Sequence, residues 1–263
     1  MGSASREALA RSVQALAGLG SKADLATAED LFAAGRVVAD SAQLRSVLSD
    51  PSAPAEGKAA LVQRVFGSLS APAVELLTVV AGQRWSDQDD VLAAIEELGI
   101  RSIAASAPRN VDIPGELFAF GGAVTSDAEL ELALRSKLAD PEAKAALAER
   151  LLAGKASKQT VAIARQLVLQ PRGRSIRESL RDAARIVAAQ YGQTIATVVT
   201  ATPLPAEQAE RLRASLAAKY GELKLNEVVD PAILGGLRVQ VGDDVIDGSV
   251  ASRLTELRLQ LAG

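Results

Sequence analysis

The apolar positions of this chain change period once, near Gly192, which separates a long helical part from a short strand-bearing part. From Ser3 to about Gln190 they recur at spacings of three and four, the repeat of a helix with one buried face. Leu9, Val13 and Leu16 predict a first helix ending near Gly18 and Gly20. Leu25, Ala28, Leu31, Phe32, Gly35 and Val38 predict a second. Pro54 and Pro72 stand at first helical positions, and Ser70 and Ser86 precede apolar-periodic runs as N-caps. A helix over about 87–105 buries Val91, Ile95, Leu98 and Ile103, and Ser106–Gly115 then reads as a linker.

Beyond that linker the chain repeats itself. Leu31-Phe32-Ala33-x-Gly35 returns 86 residues later as Leu117-Phe118-Ala119-x-Gly121. In the same register Ala42-x-Leu44 matches Ala128-x-Leu130, and Leu48 matches Leu134. Glu56-x-Lys58-Ala59-Ala60-Leu61-x-x-Arg64 matches Glu142-x-Lys144-Ala145-Ala146-Leu147-x-x-Arg150. An ungapped register that includes Phe, Gly, Lys and Arg points to tandem duplication of a helical unit. Phe32 and Phe118 are then expected in the core, one per copy.

After Gly192 the pattern becomes that of strands. Thr194–Thr202 is rich in β-branched residues, and Pro203 and Pro205 stop it. A helix over Ala206–Tyr220 ends at Gly221 and is followed by a strand over Leu223–Val229. Asp230-Pro231 breaks the chain, and Gly235-Gly236 permits backbone angles closed to other residues. Leu237, Val239 and Val241 alternate with Arg238 and Gln240, a strand with one buried face. Gly242-Asp243-Asp244 turns the chain into a second strand at Val245-Ile246, a β-hairpin. Asp247-Gly248-Ser249 ends it, with Ser249 placed to cap a closing helix. The expected fold class is α+β: a mainly helical bundle with a tandem repeat, then a small C-terminal α/β domain. The expected divisions are 1–105, 106–192 and 193–263.

Composition narrows the chemistry. The chain is 48% hydrophobic but 3% aromatic, a mixture for helices packed through small side chains. A net charge of −3 gives no general attraction to nucleic acid or acidic membrane. With no Cys and no His, zinc fingers, iron–sulfur clusters, thiol catalysis and His-based acid–base chemistry are excluded. No apolar run approaches the ~18–20 residues of a spanning helix, and the N-terminus does not read as a signal peptide. Asp243, Asp244 and Asp247 could hold Mg²⁺ or could line a solvated turn. No phosphate-binding loop accompanies them, and Gly235-Gly236 forms no dinucleotide fingerprint. Arg174, Arg177, Arg181 and Arg185 form a stripe on the last long helix, either solvated and paired with Glu178 and Asp182 or an interface for an acidic partner helix. Trp85 reads as a packing residue, and the small-residue face at Ala33, Ala34 and Gly35 as a groove able to receive a helix.

The run DPAILGGLRVQVGDDVIDGS over Asp230–Ser249, followed by a segment with Arg253, Leu254, Leu257 and Leu261, closely resembles the C-terminal signature of the δ subunits of F-type ATP synthases, called the oligomycin-sensitivity-conferring protein in mitochondria. The residues carrying it are Asp230, Pro231, Gly235, Gly236, Gly242, Asp243, Asp247, Ser249, Arg253 and Leu257. The strand Thr194–Thr202 with its following helix is also similar to that family. The duplicated helical segment departs from the common pattern and resembles actinobacterial forms with extra helical sequence. The resemblance implies a non-catalytic peripheral-stalk subunit without cofactor. It would link the N-terminal helices of the α subunits to the C-terminal ends of separate b subunits, and resist rotor torque. It would sit on the cytoplasmic face of the bacterial cell membrane through the complex alone, with no nucleic-acid partner. The second helical copy is then expected to act as a spacer or brace. A helical-repeat adaptor with an unrelated partner is the alternative reading, and an Asp-dependent phosphoryl-transfer enzyme a third.

Overall fold

The structure is a computed structural model that describes residues 1–136 and 138–250 of the chain. It divides into two compact units, Met1–Val187 and Ala188–Gly263.

The first unit is helical. Its helices are α1 (Ser3–Leu19), α2 (Leu25–Asp40), α3 (Ala42–Ser49), α4 (Ala55–Phe66), α5 (Ala71–Gly82), α6 (Gln88–Ser106), α7 (Ile113–Ser126), α8 (Ala128–Arg135), α9 (Pro141–Leu152) and α10 (Lys158–Leu169). A last helix, α11, spans Ile176–Gln190. Many begin at a side-chain cap that satisfies an otherwise unpaired N–H. Asp24 accepts from the Thr27 N–H, Ser41 from Leu44, and Ser157 from Thr160. Asp87, rather than Ser86, caps α6, because its carboxylate accepts from the Asp89 N–H. The expected linker Ser106–Gly115 is shorter than its composition suggested. Asp112 caps α7 and Pro114 lies in its first turn, where a proline needs no N–H partner.

The 86-residue register recurs in the helix boundaries. Helices α3 and α8 differ by 86 residues at both ends, as do α4 and α9, while α5 and α10 differ by 87. The contacts recur as well. Asp30 of α2 accepts from the Ser70 N–H at 2.8 Å, and Glu116 of α7 accepts from the Ser157 N–H at 2.9 Å. Lys58 donates to the Leu48 carbonyl at the end of α3, and Lys144 donates to the Ser136 carbonyl at the end of α8. In α6, Val91, Ala94, Leu98 and Ser102 are buried, 86 residues after the buried Ser5, Ala8, Ser12 and Leu16 of α1. Helix α6 therefore closes the first set of helices and opens the second. Burial extends around nearly its whole circumference, as that double role requires.

The core of the first set gathers Leu16, Leu31, Val38, Phe66, Leu76, Trp85, Val91, Ile95 and Leu98. Trp85 is 5% exposed and its indole N–H donates to the Val80 carbonyl at 2.8 Å, so the ring packs without losing its hydrogen bond. Phe118 is only half-buried, unlike Phe32. The Phe32 ring rests on Gly99, where a Cβ would approach to 2.3 Å. Gly35 packs on Ile95 as Gly121 packs on Leu180, and in that correspondence Gly99 becomes Ala184. A methyl group there denies Phe118 the same seat.

The second unit is a four-stranded mixed sheet with one helix. Its strands are β1 (Thr194–Thr200), β2 (Leu223–Val229), β3 (Leu237–Val241) and β4 (Asp244–Asp247), in the order β2-β1-β3-β4. Strands β1 and β2 are parallel and joined through α12 (Ala206–Tyr220), a βαβ crossover. Strand β3 is antiparallel to both β1 and β4. Strand β1 stops at Thr200, short of the expected Thr202. Its inward residues Ala196 and Val198 meet Leu216, Leu223, Val239 and Val241 in a core of its own. Val245 and Ile246 of β4 are exposed.

Candidate functional site

The signature residues that lie within the described chain converge on one end of the β3–β4 hairpin. Gly235 and Gly236 have φ of +97° and +81°. A Cβ on Gly236 would lie 2.5 Å from the Gly248 carbonyl oxygen, so glycine is required both for the angle and for the approach. The Gly248 N–H donates to the Leu237 carbonyl at 2.9 Å and the Val250 N–H to that of Gly235 at 3.1 Å, which carries the pairing past the ladder. Asp247 Oδ1 accepts from the Ser249 N–H at 2.9 Å, and the Ser249 hydrogen bonds hold this carboxyl below its usual range. The Asp230 N–H donates to the Thr200 carbonyl at 2.8 Å while its side chain accepts from the Ala232 N–H. That ties the segment beginning Asp230-Pro231 to the end of β1. At the opposite end Gly242, with φ +58°, and Asp243 make a two-residue turn. Arg253 and Leu257, with the expected closing helix, lie outside the described residues.

The three carboxylates weighed as a metal set go to different partners. Asp244 accepts from the Tyr220 hydroxyl at 2.8 Å and from Lys219 at 3.2 Å, and these bonds hold its carboxyl below the usual range. Asp247 is committed to Ser249. Among the described residues no group of acidic side chains is gathered around a common point for a cation.

In the helical unit the expected arginine stripe dissolves. Arg174 precedes α11 and turns inward, where its guanidinium donates to both oxygens of Glu96 at 2.7 and 2.9 Å. Glu96 is 5% exposed, so the pair is shielded from water. Arg172 lies beside it with φ +50°, its Nε 3.9 Å from Glu96. Burial pushes the Arg172 guanidinium pKa down, opposed by the Glu96 charge. Arg185 pairs with Asp182, as the solvated reading expected, but Glu178 instead accepts from the Ser175 N–H as an N-terminal cap. The stripe misleads because helical spacing continues through the sequence where the chain itself turns at Gly173.

The small-residue face at Ala34 and Gly35 is not an open groove. Ile95 packs on Gly35, and Gln170 donates to the Gly35 carbonyl at 3.2 Å. Arg36 also donates to Gln166 of α10. An open groove of about 460 Å³ lies elsewhere, between α4 and α5. Gln63, Leu69, Val74, Glu75, Thr78 and Val79 line it. Sequence periodicity misses it because these residues are neither buried nor fully apolar. No described helix is long and apolar enough to cross a membrane.

Two joints without a reactive centre describe a protein built for holding. The sequence profile of the ATP synthase delta (OSCP) subunit family matches residues 10–99 and again 100–261, with the boundary inside α6. The chain is 84% identical over 263 residues to the ATP synthase subunit delta of Leifsonia xyli subsp. xyli, covering the whole of both chains. It is 41% identical over 267 residues to that of Streptomyces avermitilis, covering 98% of each. A chain in the cryo-EM structure of the Toxoplasma gondii mitochondrial ATP synthase hexamer is 21% identical, covering 64% of this chain and 96% of that one, with a TM-score of 0.38. The profile matches and the full-length identities together show that this chain belongs to the family of ATP synthase delta (OSCP) subunits, non-catalytic components of ATP synthase.

Proposed function

We propose that this chain joins the top of the catalytic head to the peripheral stalk and holds the head against the rotor's torque. The helical unit grips N-terminal helices of the α subunits, and the sheet unit takes the C-terminal ends of the b subunits. The chain reaches the cytoplasmic face of the bacterial membrane only through that complex. It carries two overlapping helical copies, 1–105 and 106–192, before the sheet unit at 193–263. The profile match over nearly the whole chain carries this reading. The division into two compact units supports it, since each can present its own surface to a different partner. Linking two contacts in one chain raises the effective concentration at each, so two modest interactions make one durable joint.

The test is binding of the full chain to a peptide from the N-terminus of the α subunit and to one from the C-terminus of the b subunit. Both are followed by circular dichroism and calorimetry. The expected result is simultaneous saturable binding of both, with helix gained by the α peptide. Binding of neither by folded chain would overturn the reading and favour an adaptor with an unrelated partner.

A further inference from the structure

The two helical copies are not equivalent where α4 meets α5 and α9 meets α10. In the second copy Arg165 of α10 lies across α9 and closes the space between the helices. Its guanidinium pairs with Glu142 at 2.7 Å and with Glu149 at 2.7 Å. In the repeat register Glu142 corresponds to Glu56, Glu149 to Gln63, and Arg165 to Thr78. The first copy therefore keeps one of the two carboxylates and lacks the cation. The Thr78 hydroxyl donates back to the Val74 carbonyl at 2.8 Å, so it makes no polar demand on the groove. Leu69, Val74 and Val79 give the groove apolar walls, and Glu75 adds a second carboxylate beside Glu56. Among the described residues no ion pair reaches Glu56 or Glu75.

We propose that the α4–α5 groove of the first copy is the docking site for an amphipathic helix that carries a basic residue. That residue takes the place which Arg165 fills in the second copy. The second copy supplies its own cation and has no vacancy, so the chain holds one such helix and not two. The apolar face of the guest lies on Leu69, Val74 and Val79 at helical spacing. Its Lys or Arg reaches toward Glu56 and Glu75, where charge complementarity favours it. This rests on the reading above, in which the guest helix comes from the head of the enzyme.

The experiment titrates the full chain with the N-terminal α-subunit peptide. It compares the unmodified chain with the double variant Gln63→Glu/Thr78→Arg, which installs the closure of the second copy in the first. The variant should keep its helix content and Tm while binding at least ten-fold more weakly. A peptide with its basic residues replaced by Gln should weaken similarly on the unmodified chain. In the converse variant Arg165→Thr, a second binding event should appear. Equal binding by the unmodified chain and the folded double variant would overturn the groove assignment and leave the partner reading standing. Absence of binding by the unmodified chain would overturn the partner reading itself.

Discussion

Arg174 donates two hydrogen bonds to the carboxylate of Glu96, although the two residues lie 78 positions apart and Glu96 is 5% exposed. The pair fastens the turn between α10 and α11 onto α6, the helix common to both copies. Removing one partner of a shielded ion pair leaves the other charge without compensation. Glu96→Ala should therefore cost about 2–4 kcal/mol, somewhat below a fully buried pair because both arginines retain partial exposure. Denaturant unfolding checks it. A loss under 1 kcal/mol would show that water already compensates the arginines.

Glu116 and Asp30 play the same part in their two copies, with unequal strength. Glu116 accepts from the Ser157 N–H, the Ser157 hydroxyl and the Thr160 hydroxyl, while the Asp30 carboxylate holds the Ser70 N–H. Glu116→Ala should cost about 2–3 kcal/mol and Asp30→Ala about 1 kcal/mol. Hydrogen exchange should accelerate first at the N-terminal turn of α10 in one variant and of α5 in the other. Equal losses would show that the hydroxyl contacts add nothing.

Gly236 and Gly242 both have positive φ, but only one is crowded. Gly236→Ala meets the Gly248 carbonyl and should destabilise the sheet unit by more than about 2 kcal/mol. Gly242 has open space around its Cβ position, so Gly242→Asn should cost a few tenths of a kcal/mol. Unfolding of the two variants, followed through the strand amides by NMR, separates crowding from backbone angle.

Asp244 links the end of α12 to the hairpin turn, and its carboxyl is depressed chiefly by the Tyr220 hydroxyl and then by Lys219. A carboxyl whose folded pKa lies below its unfolded value stabilises the fold fully above the unfolded value. That contribution is lost as pH falls through the depressed folded value, which places the change below about pH 4. Tyr220→Phe should raise the Asp244 pKa toward the ordinary range, measured by carboxyl ¹³C titration. An unchanged pKa would assign the depression to Lys219 alone.

The sequence by itself determined the α+β order, the strand positions, the hairpin and the family. Each depends on neighbours close along the chain or on a fixed offset. The change of period at Gly192 follows from local backbone geometry. The 86-residue register survives because a duplicated helix must bury the same face. Tertiary structure alone decided which faces were left open. Periodicity marks Gly35 as small and apolar, but only the fold shows Ile95 and Gln170 covering it. It groups Arg174 with α11, whereas the turn at Gly173 sends that side chain to Glu96. It pairs Phe118 with Phe32, yet Gly99 makes room for one ring and Ala184 does not for the other. Closure of one copy by Arg165 and openness of the other at Thr78 depend on which side chain reaches across between helices. Local pattern records the period of a helix but not the reach of its side chains toward a neighbour, so packing settles the outcome.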